Sequence, residues 1–169
     1  MILKAFKYRI YPNQEQQQKI AQVLGCVRYI YNKGLETKVK SYEQTQKSLS
    51  YFDLQNGLLK QEKAEHDWLR TSYSQCLQMS LRNLDNAFTR FFKQKKGFPN
   101  FKKRRNPTQS CQFPQNVKID WELRKIYFPK IGWINIKLSR TFEGKIKIVT
   151  LSRKSTGRYF VSVLVETPD

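Results

Sequence analysis

The sequence predicts an α+β fold, in which the N-terminal strand and the C-terminal strands form a small β-barrel and a bundle of three to four helices is inserted between them. Three observations predict this class. Apolar residues recur at intervals of three and four between residues 20 and 92, which is the period of a helix. Short alternating runs separated by glycine and proline follow residue 107. A further alternating run opens the chain with no β neighbour in sequence, so we expect it to join the later sheet.

These observations also predict the domain organisation. We expect residues 1–12 and 107–169 to form the β domain and residues 13–106 to form the inserted helical domain. The 169 residues are enough to bury a core.

The first element is a strand over residues 2–11, because apolar side chains there alternate with basic ones. Pro12 ends this strand. Asn13 can cap the helix that follows, with Gln16 three residues later in the position of a capping box.

The helical part begins with a stripe of apolar residues on one face of a long helix. The members of this stripe are Ile20, Val23, Leu24, Val27, Ile30, Tyr31, Leu35 and Val39. Four basic residues, Arg28, Lys33, Lys38 and Lys40, are expected to lie mostly off this face. Asp53 is expected to cap a shorter helix that runs through Lys63. The last helix starts near Ser74 and continues into a basic segment, with its apolar face formed by Leu77, Leu81, Leu84, Phe88, Phe91 and Phe92.

The β half consists of short alternating runs. These runs cover residues 117–119, 125–128, 133–138, 145–149 and 158–165. The turns between them are marked by Pro129, Gly132, Gly144 and Gly157.

The formal net charge of +19, from 32 basic and 13 acidic residues, is the strongest global feature. A folded chain with this charge indicates a polyanionic partner, most simply nucleic acid. An anionic membrane surface is less favoured, because no lysine-rich helix has a free apolar face. No apolar run of 18 residues predicts a membrane span.

The cysteines indicate the compartment. Cys26, Cys76 and Cys111 are odd in number and form no paired motif, which predicts unpaired thiols and a cytoplasmic protein. With a single histidine and no Cys-x-x-Cys motif, we expect no zinc site.

The most basic stretch, which we call the basic connector, runs from Lys93 to Arg105. Seven of its thirteen residues are Lys or Arg and none is acidic. Gly97 and Pro99 break any helix there. The connector is predicted to bind a phosphate backbone, although a charged loop that only links two subdomains is the alternative. Phe98 and Phe101 are expected to pack into the β domain and fix the connector, rather than stack on bases.

Candidate binding residues follow from this prediction. Those expected to contact nucleic-acid backbone are Lys4, Lys93, Lys95, Lys96, Lys102, Lys103, Arg104, Arg105, Lys145 and Lys147. Gln75, Gln78 and Asn83 at the start of the last helix could read bases, because Gln and Asn pair bidentately with adenine. Glutamine on an exposed helix face is, however, more often simply solvated.

The sequence predicts no catalytic residue. A two-metal phosphodiester site needs several carboxylates in one shaped cavity. The acidic pairs Glu65/Asp67 and Asp120/Glu122 instead lie in polar, turn-like stretches. His66 has no Ser or Cys nucleophile in a recognisable setting, and no glycine-rich phosphate loop is present.

Several segments, taken in order over nearly the whole chain, resemble the N-terminal half of TnpB (OrfB-type) proteins of insertion sequences. These segments are KAFKYRIYPNQEQ, LGCVRYIYN, LRNLDNAFTRFF, GFPNFKKRR, PKIGWINIKLSR and GRYFVSVLVE. TnpB proteins are RNA-guided DNA endonucleases, regarded as ancestors of type V CRISPR effectors. The resemblance implies a wedge β-barrel with an inserted helical recognition lobe, which together bind a structured guide RNA and double-stranded target DNA.

The resemblance also implies which residues read a short motif beside the DNA target. These are Tyr51, Gln55, Ser74, Gln75, Gln78 and Gln115. Tyr51 and Gln78 keep the family's residue types, whereas Ser74, Gln75 and Pro114 depart from them.

The family's nuclease lies outside the matched segments. By resemblance, a RuvC-like domain begins just after the segment matching Val163–Asp169, and a zinc ribbon comes later. We therefore expect this chain to hold the recognition half, with no catalytic site and no cofactor. A divalent metal such as Mg²⁺ would belong to the nuclease domain.

Two other functions stay open at this stage. The first is a naturally nuclease-less regulator that uses guide RNA to occupy DNA. The second is a plain helix-turn-helix DNA-binding protein, with the helices around residues 19–40 in the major groove, but it leaves the β half unexplained.

Overall fold

The computed structural model describes residues 1–168. In this range the strands are β1 (Ile2–Tyr11), β2 (Thr108–Phe113), β3 (Lys118–Asp120), β4 (Lys125–Phe128), β5 (Gly132–Lys137), β6 (Lys145–Lys154) and β7 (Tyr159–Thr167). The helical segments are α1 (Gln14–Thr45), α2 (Tyr51–Asp53), a π-helical segment (Leu54–Leu59), α3 (Lys60–Glu65), a 3-10 segment (Asp67–Thr71) and α4 (Ser74–Gln94). The fold is therefore α+β, as the sequence predicts.

The chain divides into two compact units. The first consists of Met1–Leu24 and the chain from Arg105 onward, and it contains all the strands given above. The second is Gly25–Arg104 and contains most of the helical residues. The division falls within α1. The domain bounds expected from the sequence stay a prediction, because compactness alone does not show which segment folds independently.

The strands form one antiparallel sheet with the order β2-β6-β7-β1-β5-β4-β3. Strand β1 lies at its centre, paired with β7 from Ile2 opposite Thr167 to Ile10 opposite Tyr159. Its last residues pair with β5, where Tyr11 lies opposite Asn135. The expectation that the N-terminal strand joins the later sheet is confirmed.

The sheet is strongly curled. Phe113 of β2 and Phe128 of β4 are five positions apart in the strand order, which is about 24 Å across a flat sheet at the usual strand spacing. Their ring centroids are nevertheless 4.9 Å apart, and both side chains are buried. The sheet thus forms the barrel-like wall predicted from the sequence. Its buried face is formed by alternate residues, among them Tyr8, Ile10, Ile126, Ile134, Ile136, Val149, Leu151, Val161, Val163 and Val165.

Strand β2 is not among the runs predicted from the sequence. Its residues, TQSCQF, include few strand formers, but they pair with β6 over the whole length of β2. Before β6, Gly144 has a φ of 133°, and a Cβ there would lie 2.3 Å from the carbonyl oxygen of Glu166. This turn therefore requires glycine.

Helix α1 begins as predicted. The Gln16 N–H donates to Asn13 Oδ1 at 2.8 Å, and the Asn13 N–H donates to Gln16 Oε1 at 2.9 Å. The predicted apolar stripe is buried except at Val39, which is half-buried. Lys38, which was expected mostly off the apolar stripe, is also buried and is only 9% exposed.

The shorter helical stretch starts differently from the prediction. Ser50, not Asp53, is the N-cap: the Asp53 N–H donates to Ser50 Oγ, and the Ser50 N–H donates to Asp53 Oδ2. Asp53 is therefore the acidic partner of a capping box. Ser50, three residues earlier, takes the N-cap position because its hydroxyl accepts the Asp53 N–H. The π-helical segment then continues into α3.

No helix within residues 1–168 combines the length and hydropathy needed to cross a membrane. The three cysteines are free thiols and are buried.

Candidate nucleic-acid interface

The basic connector begins at the C-terminus of α4. Lys95 adopts a left-handed conformation with φ 53° and ψ 32°, and its N–H donates to the carbonyl of Arg90. The N–H of Lys96 reaches the same carbonyl at 3.3 Å. This geometry closes the helix and turns the chain away from the helix axis. The residues that follow, up to Arg105, form no helix or strand.

Aromatic packing fixes the start of the connector. The Phe98 ring lies edge-on to Phe88 and Phe91, with centroid distances of 5.4 and 5.2 Å. Pro99 is buried, whereas Phe101 is 53% exposed. The expectation that Phe98 packs into the β domain is wrong: it packs on helix α4, because the left-handed turn places it four residues past the helix end.

A second anchor is Lys102. Its N–H donates to Asn32 Oδ1 at 2.8 Å, and Asn32 Nδ2 donates to its carbonyl at 2.9 Å. The Lys102 ammonium lies 4.4 Å from the centroid of the Tyr31 ring. Desolvation there lowers the pKa of Lys102. Lys102 is therefore held by α1, although the residue remains exposed.

The other predicted backbone-binding residues of the connector are likewise exposed. They are Lys93, Lys95, Lys96, Lys103, Arg104 and Arg105. Because the chain is anchored at Phe98 and at Lys102, these cations project from a positioned segment. The structure thus provides a concentrated basic surface without a compensating acid in the connector itself.

The candidates on the sheet are less uniformly basic. Lys4 and Lys145 are exposed. Lys147 Nζ lies 3.3 Å from Glu166 Oε2, and Lys145 is directly opposite Glu166 in the β6–β7 register. Glu166 therefore offsets part of the charge at this end of β6.

Five of the six predicted motif-reading residues lie in the second compact unit. Tyr51 is buried at the start of α2, and Gln55 is half-buried in the π-helical segment. Ser74, Gln75 and Gln78 are half-buried in the first two turns of α4. Ser74 Oγ accepts a hydrogen bond from Lys63 Nζ. Gln115 lies in the first compact unit and is exposed just after β2.

The structure adds Arg82 to this group. Its guanidinium carbon lies 4.2 Å from the centroid of the Tyr51 ring, a cation–π contact. Arg82 is exposed and stands one turn after Gln78, so Gln75, Gln78 and Arg82 share one face of α4. Sequence reasoning missed Arg82, although its i+4 spacing from Gln78 was a signal.

The burial of Lys38 was also not predicted from the sequence. Its Nζ donates to the Leu49 carbonyl and lies 4.7 Å from the centroid of the Phe88 ring. Burial lowers the pKa of Lys38, and the nearby Asp85 and Asp53 carboxylates partly counteract this. Lys38 thus serves packing between α1, the loop after it and α4.

The one histidine belongs to a packed cluster. Glu62, Glu65 and His66 bring one potential ligand atom each within 4.8 Å of one another. Buried Glu62 accepts a hydrogen bond from the Tyr29 hydroxyl and lies 3.7 Å from His66 Nε2. Burial, with the hydrogen bond to Glu62, raises the pKa of Tyr29 to about 12. Glu62 is already engaged by Tyr29 and His66. These contacts hold α3 and the 3-10 segment against α1.

Sequence comparisons relate this chain to known proteins. The family model HTH_OrfB_IS605, described as a helix-turn-helix domain, matches residues 1–47, which form β1 and α1 here. The chain is 34% identical over 166 residues to "Putative RNA-guided DNA endonuclease InsQ" of Escherichia coli (strain K12), covering 98% of this chain and 41% of that protein. It is also 34% identical over 169 residues to a "Putative RNA-guided DNA endonuclease" of Streptomyces pristinaespiralis, covering 98% and 42% respectively.

The chain therefore spans less than half the length of these curated relatives. Among solved structures, it is similar to a chain of the Cas12f1–sgRNA–target DNA complex, with a TM-score of 0.49 and 14% identity. That match covers 100% of this chain and 49% of the other.

Proposed function

Because this chain belongs to the TnpB (OrfB-type) family of insertion-sequence proteins and corresponds to its N-terminal portion, we propose that it is the part of an RNA-guided DNA endonuclease that binds guide RNA and target DNA. The observation that carries this proposal is the basic connector. It is anchored by Phe98 and Lys102 and presents exposed Lys and Arg side chains from a fixed segment.

The charge of the whole chain supports a nucleic-acid partner. A net charge of +19 steers a folded protein towards polyanions. Lys and Arg that neutralise phosphates release counterions, so affinity falls steeply with salt. Such contacts supply affinity and position but no sequence information.

The face of α4 with Gln75, Gln78 and Arg82 supplies the second part of the proposal. Glutamine pairs bidentately with adenine and arginine with guanine. In the proposal this face, with Tyr51 beneath Arg82, reads the short motif beside the DNA target. Gln55, Ser74 and Gln115 are the remaining residues proposed to read this motif.

A plain helix-turn-helix function has less support. Residues 19–40 lie within α1, which is one continuous helix from Gln14 to Thr45. A helix-turn-helix reader needs two helices joined by a turn over this range. The proposal also places the protein in the cytoplasm, in keeping with three free, buried thiols. It assigns any divalent metal to the family's nuclease domain.

Co-purification tests the proposal. The chain is expressed together with its flanking genomic DNA, purified at about 100 mM salt, and the bound RNA is sequenced. The expected result is enrichment of one structured RNA, which is lost in a variant with Lys103, Arg104 and Arg105 replaced by Ala. Absence of bound RNA, or the same bulk cellular RNA in both preparations, would contradict the proposal.

A further inference from the structure

The outward face of the sheet carries a row of three directly opposed residues on adjacent strands. Lys118 of β3 lies opposite Tyr127 of β4, which lies opposite Trp133 of β5. The Tyr127 and Trp133 ring centroids are 5.3 Å apart and inclined by 53°. Lys118 Nζ lies 5.8 Å from the Tyr127 centroid. The row is therefore a pair of tilted aromatic rings ended by a cation.

Burial establishes which way this row points. The neighbours of the two aromatics along their strands, Ile126, Phe128 and Ile134, are buried in the sheet core. Because side chains alternate along a strand, Tyr127 and Trp133 face the other side. Trp133 is 44% exposed. Its indole is thus accessible from outside the sheet.

The same outward face is strongly basic. Outward positions of β1, β3, β4 and β5 carry five cationic residues, which are Lys7, Arg9, Lys118, Lys125 and Lys137. Over the described residues of those four strands the one acid is Asp120. Its Oδ1 accepts the N–H groups of Glu122 at 3.1 Å and Leu123 at 2.9 Å, so it caps a turn. Tyr11 and Asn135 lie opposite each other between these cations.

We propose that this face, centred on Trp133 and Tyr127, is a stacking surface for unpaired nucleobases of a single-stranded nucleic acid. Cross-strand aromatic pairs also stabilise sheets, but that role alone needs neither an exposed indole nor a surrounding field of cations. Aromatic rings flanked by Lys and Arg on a sheet are the arrangement that binds single strands, with bases on the rings and phosphates on the cations. A second copy of this chain is disfavoured as occupant, because two faces of equal positive charge repel. An acidic protein would match the charge but would leave the rings unused.

The inference rests on the proposed function and extends it to a surface outside the connector. Stacking quenches indole fluorescence, and Trp133 can be observed alone in a Trp68→Phe, Trp121→Phe variant of the 169-residue chain. The probes are single-stranded 12-nucleotide oligouridine and oligodeoxyuridine, which carry the same base. Polyglutamate serves as a polyanion without bases.

We expect the oligonucleotides, but not polyglutamate, to quench Trp133 fluorescence. The oligonucleotide that quenches more strongly identifies the preferred sugar. Trp133→Ala should weaken oligonucleotide binding by about fivefold to a hundredfold, the range measured for loss of one stacked base. Trp133→Phe, which keeps a ring, should retain most of the affinity. Trp68→Ala is the matched control, because the Trp68 side chain is 40% exposed but lies in the other compact unit.

Three outcomes would overturn the inference. They are equal quenching by polyglutamate, no quenching by either oligonucleotide, and equal affinities of Trp133→Ala and Trp68→Ala. If any of these outcomes is observed while the chain still co-purifies with its structured RNA, only the proposed stacking surface is wrong. If the chain binds no nucleic acid at about 100 mM salt, the proposed function itself fails.

Discussion

Asn32 on α1 and Lys102 in the basic connector, 70 residues apart, exchange two hydrogen bonds. The Asn32 amide accepts the Lys102 N–H at 2.8 Å and donates to the Lys102 carbonyl at 2.9 Å. The Asn32 side chain thus satisfies both the N–H and the carbonyl of Lys102. The connector around Lys102 belongs to no helix or strand. This pair holds the middle of the connector in place, and through it the exposed cations that follow.

Asn32→Ala should release the connector without unfolding the helices. Each lost hydrogen bond contributes about 0.5–1.5 kcal/mol, and the substitution removes both bonds to the Lys102 main chain at once. The expected result is faster tryptic cleavage after Lys102, Lys103 and Arg104, with the helices still protected, as read by mass spectrometry. Asn86→Ala on an exposed site of α4 is the control and should cleave like the wild type. Equal connector cleavage in both variants would show that Asn32 does not anchor it.

Gly34 and Gly25 on the same helix should respond oppositely to alanine. A Cβ at Gly34 would lie 2.9 Å from methyl carbons of both Leu81 and Leu84 in α4. Overpacking of this kind costs about 1–3 kcal/mol. A Cβ at Gly25 meets only the end of Arg28 at 3.8 Å, so Gly25→Ala should stabilise by up to about 1 kcal/mol through helix propensity. Denaturant unfolding measures both. A neutral Gly34→Ala would refute the packing of α1 on α4, and a destabilised Gly25→Ala would show that the space beside Gly25 is not open.

Tyr29 should make stability depend on alkaline pH. Its pKa is raised to about 12 by burial and by the hydrogen bond to Glu62, against 10.0 for an ordinary tyrosine. The protonated form is therefore favoured in the native state. Its contribution is fully present below about pH 10 and is lost as the pH rises through about 12.

The comparison that isolates this effect uses Tyr29→Phe. The free energy of unfolding of the wild type should fall more steeply between pH 10 and 12 than that of Tyr29→Phe, even though the variant starts less stable. Tyr42→Phe is the control, because Tyr42 is 56% exposed. Parallel pH profiles for wild type and Tyr29→Phe would contradict the raised pKa.

Gln78→Ala should change which target-flanking motif is tolerated more than it changes RNA affinity. The residue lies on the α4 face with Arg82, where loss of a bidentate base contact removes discrimination of about 1–3 kcal/mol. Selection of bound duplexes from a library with randomised flanks, using RNA-loaded protein, measures the motif. Asn86→Ala should leave the motif unchanged. If Gln78→Ala mainly lowers RNA affinity, Gln78 belongs to the RNA surface instead.

Elements with a strong period or an explicit cap could be predicted from the sequence. The apolar stripe of α1, the Asn13–Gln16 capping box and the long β7 strand are examples, because local chemistry determines them. Strand β2 could not be predicted. Four of its six residues are polar, and it is a strand because β6 offers it a complete ladder of hydrogen bonds.

The candidate site shows the same limit. The basic connector is visible as a charge run, but its anchoring by Asn32 and Phe98 depends on contacts distant in sequence or on a turn. The sequence pattern places Lys38 off the apolar stripe of α1, yet the residue is buried, because the loop after α1 gives its ammonium an acceptor at Leu49. The stacking of Arg82 on Tyr51 likewise arises only when α2 and α4 pack together.

The salt dependence of binding to the co-purified RNA tests the central claim most directly. Each phosphate contact contributes about 0.7–0.9 to the slope of log affinity against log salt. Replacing Lys103, Arg104 and Arg105 by Ala should therefore flatten the slope by about 2–3. Adding Lys102→Ala to this variant should change the slope little further, because the Lys102 ammonium faces Tyr31. The control replaces the exposed Lys40, Lys47 and Lys60 by Ala and removes the same charge. A flattened slope in the connector variant alone is the predicted result, and equal slopes in the connector variant and the wild type would contradict the account.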